Sequence, residues 1–218
     1  MSGGAIEVLC QRYWGPLYGF ALRRGCTEHD AQDLTQAFFA DFLAKDYLKA
    51  ADRSRGRFRT FLLTAFQHFM IRRWRWERRK KRWGGDLPID QEVARPQTRP
   101  AEPSEPVAPG TPTEEYDRQW GIAVLDAGFQ NLRNEYRAEG RLAAFEALKP
   151  FLSRVAETGD YETAALVLGI STGAVAVAVH RLRKRYSERV LMEVMGTVAD
   201  PEDARDELRY LVGLVASR

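Results

Sequence analysis

The chain has 218 residues, 44% of them hydrophobic, which is enough for one large domain or two small domains with a real core. Its formal net charge is only +3, so the overall charge does not decide between nucleic acid and other partners. The charges are instead uneven along the chain. Acidic residues dominate between residues 28 and 46, and basic residues dominate between residues 72 and 82. This separation indicates two faces for two different partners.

The residues that usually carry catalysis or bind metals show no functional spacing. The histidines are His29, His68 and His180, and with Cys10 and Cys26 they give no zinc-ligand pattern, so no metal and no cofactor is expected. Reduced thiols are favoured, and a disulfide between the two cysteines is left open. A glycine-rich phosphate loop and a nucleophile–base pair are also missing, which argues against an enzyme and predicts no catalytic residue.

No signal peptide and no long apolar run is visible. The first residues lack a basic segment followed by an apolar one, and no apolar stretch is long enough to cross a bilayer. The sequence therefore predicts a cytoplasmic protein with no membrane partner.

The first third of the chain predicts three helices. The first covers about residues 6–24, where Pro16 is a place for a kink or a break. Thr27 has the side chain and the following acids of an N-cap for the second helix. The third begins near Arg57 with an apolar face at helical spacing and then changes to IRRWRWERRKKRW, in which tryptophans alternate with basic residues.

The rest of the chain predicts a linker followed by more helices. Proline-rich sequence at 86–113 is typical of a mobile connection. Helices are predicted from Glu114, over about 142–155 with a bend or break at Pro150, and from Asp200-Pro201 onward. No strand pattern competes, so the predicted fold class is all-α, with two small helical domains on a flexible Pro-rich linker. The predicted boundaries are 1–85 for the first domain, 86–113 for the linker, 114–195 for the second domain and 196–218 for a C-terminal helical extension.

Residues 161–185 predict a helix-turn-helix within the second domain. Gly169 can end the first helix with a positive φ, Ile170 is expected to fill the corner, and Ser171 or Thr172 can cap the second helix. Such a motif places its second helix in the major groove of DNA. An ordinary helical hairpin with a solvated basic face is the alternative. The outward positions predicted to meet DNA are Ser171, Thr172, Val177, His180, Arg181 and Lys184.

That outward face is poor in side chains that read bases. Ala176 and Val177 can touch a thymine methyl group, but they cannot form bidentate hydrogen bonds with a base. We therefore expect duplex binding by this domain to be weak and mostly electrostatic.

The basic segment of the third helix predicts contact with unpaired DNA. Its arginines and lysines can neutralise phosphates without reading sequence, and flat rings such as Trp74 and Trp76 can stack on exposed bases. The alternative places the tryptophan rings in the core and leaves only the basic side chains outside.

Taken together, these features resemble a bacterial RNA polymerase sigma factor of the extracytoplasmic-function type, which keeps only sigma regions two and four. The resemblance covers nearly the whole chain except the linker. HDAQDLTQAFFADFLAK resembles the polymerase-binding helix of that family. The resemblance implies core RNA polymerase and promoter DNA as partners, and it implies that core polymerase is contacted by Asp33, Leu34, Gln36 and Phe39.

The segment GRFRTFLLTAFQHFMIRRWRWERRKKR resembles the part of that family that melts and reads the minus-ten promoter element. Residues 52–57, which lead into this segment and overlap its start, lie where the family forms a pocket for a flipped-out base. The second domain matches the region that reads the minus-thirty-five element. The residues implied for the minus-ten contact are Arg55, Arg57, Arg59, Gln67, Arg72, Arg73 and Trp76.

Two other functions are left open by the sequence. A stand-alone helix-turn-helix regulator would be a dimer on a palindromic site, but it gives the acidic helix and the basic-aromatic helix no task. A sigma-like protein placed on DNA by an additional partner would explain the weak reading face. An anti-sigma or other regulatory partner is also left open, and the tail after residue 195 has no predicted role beyond its helix.

Overall fold

A computed structural model describes residues 3–45, 56–83, 110–198 and 200–217 of the chain. It is 84% helix and has no strand in these ranges, which confirms the predicted all-α class. Most of the predicted linker, residues 86–109, lies outside the described residues. Within them, no single helix combines the length and the apolar composition that a membrane span requires, although one sharply bent pair of helices does so when both are counted together.

The described residues form two compact units. The first takes those of 1–121 together with those of 197–218, and the second is Ile122–Gly196. This division differs from the predicted one in two places. Residues 114–121, expected in the second domain, and the tail, expected to be a separate extension, both belong to the first unit. Helical periodicity reveals that a helix has an apolar face, but not which other helix covers that face.

The first unit begins with three helices that end close to their predicted positions. They are α1 at Gly3–Arg23, α2 at Glu28–Ala44 and α3 at Phe58–Trp83. α1 continues through Pro16 without a break. Thr27 caps α2 as expected, because its Oγ1 accepts a hydrogen bond of 3.1 Å from the backbone N–H of Asp30.

Aromatic side chains form much of the core between these helices. Phe38 of α2 meets Phe66 and Phe69 of α3 edge to face, with ring centroids 5.1 and 5.6 Å apart. Phe20 of α1 meets the same Phe66 at 6.2 Å. Such pairs contribute about 0.5–1.5 kcal/mol each beyond the burial of their area. The buried residues around them include Leu17, Ala21, Ala31, Phe42, Leu62 and Met70.

Two further helices complete the first unit. They are the first turns of α4, whose full extent is Pro112–Ala138, and α9 at Pro201–Ala216. Asp200 caps α9 by accepting a hydrogen bond of 2.9 Å from the N–H of Glu202. Gly121 lets α9 approach α4 closely, since a Cβ added there would lie 3.5 Å from Cβ of Leu211. The tail therefore packs as an integral helix of this unit.

The second unit contains the rest of α4 and four more helices. These are α5 at Leu142–Leu148, α6 at Pro150–Ser153, α7 at Asp160–Leu168 and α8 at Thr172–Met195. The helix predicted over 142–155 is divided before Pro150, which stands at the first position of α6. One core cluster of this unit consists of Leu132, Tyr136, Phe145, Leu148, Phe151, Ala164, Val175, Val179 and Leu182.

Candidate nucleic-acid interface

The second half of α3 presents basic side chains to solvent. The last fully buried residue of the helix with a described side chain is Met70, and four arginines beyond it are exposed: Arg72, Arg73, Arg75 and Arg78. Trp74 and Trp76 are both half-buried, so neither ring belongs fully to the core. We call residues 71–83 the basic half of α3; the side chains of Glu77 and of residues 79–83 lie outside the described part.

Arg72 of the basic half is held by an exposed ion pair. Arg72 forms an ion pair of 3.3 Å with Asp41 of α2 and lies 5.8 Å from the ring centre of Phe69. The guanidinium of Arg73 lies 5.8 Å from the ring of Trp76. Exposed ion pairs contribute only about 0.2–1 kcal/mol. A phosphate can therefore replace Asp41 as the partner of Arg72 at little cost.

The start of α3 holds its arginines differently. Arg59 is only 7% exposed, and its Nε and Nη1 donate close hydrogen bonds to Oε1 of Glu207 and Oδ1 of Asp117. Arg57 lies on the same carboxylate, with its Nη1 2.8 Å from Oε2 of Glu207. Asp117 belongs to α4 and Glu207 to α9. We call these four residues, together with Tyr210, the α9 ion cluster.

Neighbouring groups fix the cluster in place. The hydroxyl of Tyr210 donates a hydrogen bond of 2.8 Å to Asp117 and that of Tyr116 donates one of 3.0 Å to the backbone carbonyl of Arg59. The N–H of Phe58, unpaired within α3, donates to the carbonyl of Thr197 at 2.9 Å. The tail thus supplies partners both to the backbone and to the side chains at the start of α3.

The cluster is electrostatically balanced, because two arginines face two carboxylates. Burial opposes the charge of Arg59, but its hydrogen bond to Glu207 and the charge of Asp117 outweigh that effect and raise the pKa of Arg59. Burial and the charge of Asp117 raise the pKa of the Tyr210 hydroxyl to about 12. Arg59 therefore stays charged, and Tyr210 stays a hydrogen-bond donor, at any physiological pH.

The predicted minus-ten residues consequently fall into different environments. Arg59 is closed off from solvent, so the contact with DNA predicted for it is not available in this structure. The side chain of Arg57 is 41% exposed and shares its carboxylate partner with Arg59. Gln67 is half-buried and Arg55 lies outside the described residues. Sequence spacing missed the cluster because its carboxylates lie 58 and 148 positions away from Arg59.

The residues predicted to bind polymerase are divided between core and surface. Leu34 and Phe39 are buried in the first unit, where Phe39 stacks on Trp14 at 6.0 Å. Asp33 and Gln36 are exposed on α2, and Asp33 lies 3.2 Å from His29. Of the four residues predicted to bind polymerase, Asp33 and Gln36 are therefore the two whose side chains a partner protein could contact.

In the second unit, α7 and α8 meet at 95° across a tight turn. Gly169 ends α7 with a φ of +66°, and Ser171 rather than Thr172 caps α8, its Oγ accepting from the N–H of Ala174 at 3.2 Å. The expectation for Ile170 is wrong. It is 41% exposed and does not fill the corner, whereas Ala164 of α7 and Val175 of α8 are buried in the core of the unit.

One face of α8 is polar and open to solvent. All six residues predicted to meet DNA are exposed: Ser171, Thr172, Val177, His180, Arg181 and Lys184. Two neighbouring arginines are paired with groups of the same unit, Arg183 while exposed and Arg185 while half-buried. Arg183 donates to the carbonyl of Phe151 at 2.9 Å, and Arg185 lies 2.8 Å from the carboxylate of Glu139. Both contacts join α8 to other parts of the second unit.

Cys10 and Cys26 are not joined to each other, so the disulfide left open by the sequence is not formed. Within the described ranges, no three His, Cys, Asp or Glu side chains are gathered in a way that could hold a metal ion. In comparisons with known proteins, the chain matches no family model, no curated protein and no solved structure.

Proposed function

We propose that this chain is a sigma factor of the extracytoplasmic-function type, which binds core RNA polymerase and directs promoter recognition and melting. The single observation that carries the proposal is the division of α3. Its first half is packed in the core of the first unit, while its second half offers four exposed arginines beside two half-buried tryptophans. A helix that offers both exposed guanidinium groups and partly exposed aromatic rings suits a melted DNA strand, because such a strand presents both phosphates and unpaired bases.

The chemistry of melting follows from that surface. Arg72, Arg73, Arg75 and Arg78 neutralise backbone phosphates and release counterions, which makes binding dependent on salt. The half-buried rings of Trp74 and Trp76 offer stacking for unpaired bases, worth about 1–3 kcal/mol per base. Since stacking favours unpaired over paired bases, the surface stabilises the opened form of the promoter.

In this proposal α7 and α8 form the helix-turn-helix, and α8 anchors the protein on duplex DNA. The crossing angle of 95° lies within the range of roughly 90–120° that is typical of such motifs. His180, Arg181 and Lys184 lie on its exposed face, whereas Ala176 and Val177 occupy the central positions with short apolar side chains. Affinity for duplex DNA through this helix is then electrostatic and low in sequence specificity.

Docking to polymerase is assigned to the exposed acidic surface of α2. Asp33 and Gln36 are the side chains of the predicted set that reach solvent, while Leu34 and Phe39 keep the helix in place from within the core. A charged group on a rigid helix can direct the encounter with a basic partner surface.

The test is to mix the full chain with core polymerase, and to measure co-elution and transcription from a pre-melted template. We expect both for the wild type, and loss of both for Asp33→Lys. The matched control is Asp206→Lys, which reverses an exposed acid on α9 and should change neither. If wild-type chain does not co-elute with core polymerase, the proposed function is wrong. If Asp33→Lys still co-elutes, docking uses another surface.

A further inference from the structure

The tail helix α9 has no task in the function proposed above, yet it contacts the residues expected to meet DNA. Glu207 is 1% exposed and accepts from both Arg57 and Arg59. We propose that α9 is an autoinhibitory helix whose Glu207 occupies these arginines, and that DNA reaches them only when α9 is released. The inference rests on the proposed function, because it takes a DNA phosphate as the competing ligand.

Competition follows from the chemistry of the groups. A guanidinium fork binds a carboxylate and a phosphate with the same paired N–H donors. Glu207 uses both of its oxygens, Oε1 for Arg59 and Oε2 for Arg57 and Arg59. A phosphate that takes the same donors cannot bind while this carboxylate holds them. The bound α9 and a DNA strand at the start of α3 therefore exclude each other.

Arg57 is the residue of the α9 ion cluster that a DNA phosphate can reach first. Its side chain is 41% exposed, in contrast to the 8% of Arg59. A phosphate can approach Arg57 from solvent and draw it from Glu207, after which Glu207 has one cation fewer to hold it. Release of Glu207 from Arg59 then exposes the start of α3, including the N–H of Phe58 that Thr197 covers.

The α9 contact is also suited to separation. Buried ion pairs lose much of their attraction to the cost of desolvation, so a contact built on them is less stable than an apolar contact of similar size. Charged groups regain water when they part.

A disulfide between α4 and α9 tests the proposal. A Cβ at position 121 would lie 3.5 Å from Cβ of Leu211, within the separation that a disulfide spans. The variant carries Gly121→Cys and Leu211→Cys in a chain with Cys10→Ala and Cys26→Ala. The chain with only the two alanine changes is the control. Binding of a labelled single-stranded DNA, alone and with core polymerase, is measured for each chain before and after reduction.

We expect the oxidised variant to bind single-stranded DNA about tenfold more weakly than the same protein after reduction. Its plot of log binding constant against log salt concentration should be shallower by about 1.4, the value for two phosphate contacts on a single strand. For the control chain, reduction should change neither the affinity for single-stranded DNA nor its salt dependence. Binding to core polymerase should be equal for the oxidised and the reduced variant.

Equal DNA affinity and equal salt dependence in the oxidised and reduced variant would overturn the proposal and make α9 a permanent support. Tighter binding by the oxidised form would overturn it as well. Failure of the proposed function has a different signature, namely that no form binds core polymerase. In that case the comparison on single-stranded DNA alone still decides whether α9 excludes DNA from the start of α3.

Discussion

The two ends of α3 carry the same residue type in opposite environments. At the start, Arg57 and Arg59 are held by carboxylates from α4 and α9, and Arg59 is closed off from solvent. In the basic half, Arg72 and Arg73 are exposed, and the ion pair of Arg72 with Asp41 is open to water. In the proposed function, an arginine of α3 is thus a structural residue or a DNA contact according to which distant carboxylate reaches it.

The difference between the two ends of α3 shows how carboxylates from other helices change the environment of its arginines. The resemblance to the sigma family implies a minus-ten contact for every arginine in the set and does not distinguish among them. Packing separates them, because a buried guanidinium requires paired anions whereas an exposed one is satisfied by water. The proposal is therefore that the end of α3 binds a strand directly, whereas the start does so only after α9 is released.

The largest expected effect comes from removing the charge of Glu207. Glu207→Gln leaves the buried Arg59 with one carboxylate instead of two, and breaking a buried ion pair in this way costs about 3–5 kcal/mol. Urea unfolding followed by tryptophan fluorescence reports on the first unit, because all five tryptophans lie within residues 1–121. Asp206→Asn, an exposed acid on the same helix, should stay within about 0.5 kcal/mol of the wild type. A similar, small change for both variants would mean that the cluster does not hold the start of α3.

A smaller effect is expected from crowding the contact between α4 and α9. Gly121→Val adds atoms where a Cβ would already lie 3.0 Å from Val215 and 3.3 Å from the carbonyl of Leu211. Overpacking of this kind costs about 1–3 kcal/mol, and by loosening α9 it should increase binding of single-stranded DNA. Gly213→Val is the control, because a Cβ there meets nothing within 4 Å. Equal DNA binding by both variants would show that the packing of α9 does not control DNA binding at the start of α3.

The basic half should behave in the opposite way, losing DNA binding without losing stability. Arg72→Ala with Arg73→Ala removes two exposed charges, so affinity for a single strand should fall about tenfold. The salt dependence should become shallower by about 1.4. Unfolding free energy should change by less than about 1 kcal/mol, since exposed ion pairs contribute little. The control pair Arg24→Ala with Arg137→Ala, exposed and outside every predicted site, should leave DNA binding unchanged. Equal losses in both pairs would indicate unspecific attraction.

The smallest effect concerns the exposed ion pair between Arg154 and Asp160 in the second unit. Asp160 accepts from Arg154 at 2.9 Å and from the N–H of Glu157 at 2.7 Å, and the bond from Arg154 is the main cause that lowers its pKa to about 2. A lowered pKa means that this contribution to stability is complete above pH ~4 and is lost as the pH falls through about 2. NMR titration of the carboxyl should show the low pKa, and Arg154→Ala should return it toward 3.8. An unchanged pKa in that variant would assign the shift to the backbone bond.

Much of the fold was predictable from local signals. Thr27, Asp200 and Pro150 mark helix ends by side-chain chemistry that acts within a few residues, and each did so in the structure. The apolar face predicted for α3 likewise lies in the first core, where Leu62 and Phe66 are fully buried. Pro16 was misleading as a signal, because α1 continues through it without a break.

The candidate site was predictable only where it is local. The exposed residues of the basic half and of α8 follow from helical spacing within one segment. The α9 ion cluster does not, since it joins residues from three helices, and no spacing rule connects Arg59 with Glu207. A weak signal existed in the tail, where Glu207 and Leu211 lie one turn apart on the side that α9 buries. That pattern predicts a buried face but not the arginine that meets it.

The most direct measurement maps where a single DNA strand contacts α3. A strand with photoreactive bases is crosslinked to the chain that carries Gly121→Cys and Leu211→Cys, in its oxidised and its reduced form, and the crosslinked peptides are identified. We expect crosslinks in the basic half of α3 in both forms, and at residues 57–59 only after reduction. Crosslinks at residues 57–59 in the oxidised form, or none in the basic half of α3 in either form, would contradict the difference between the two ends of this helix.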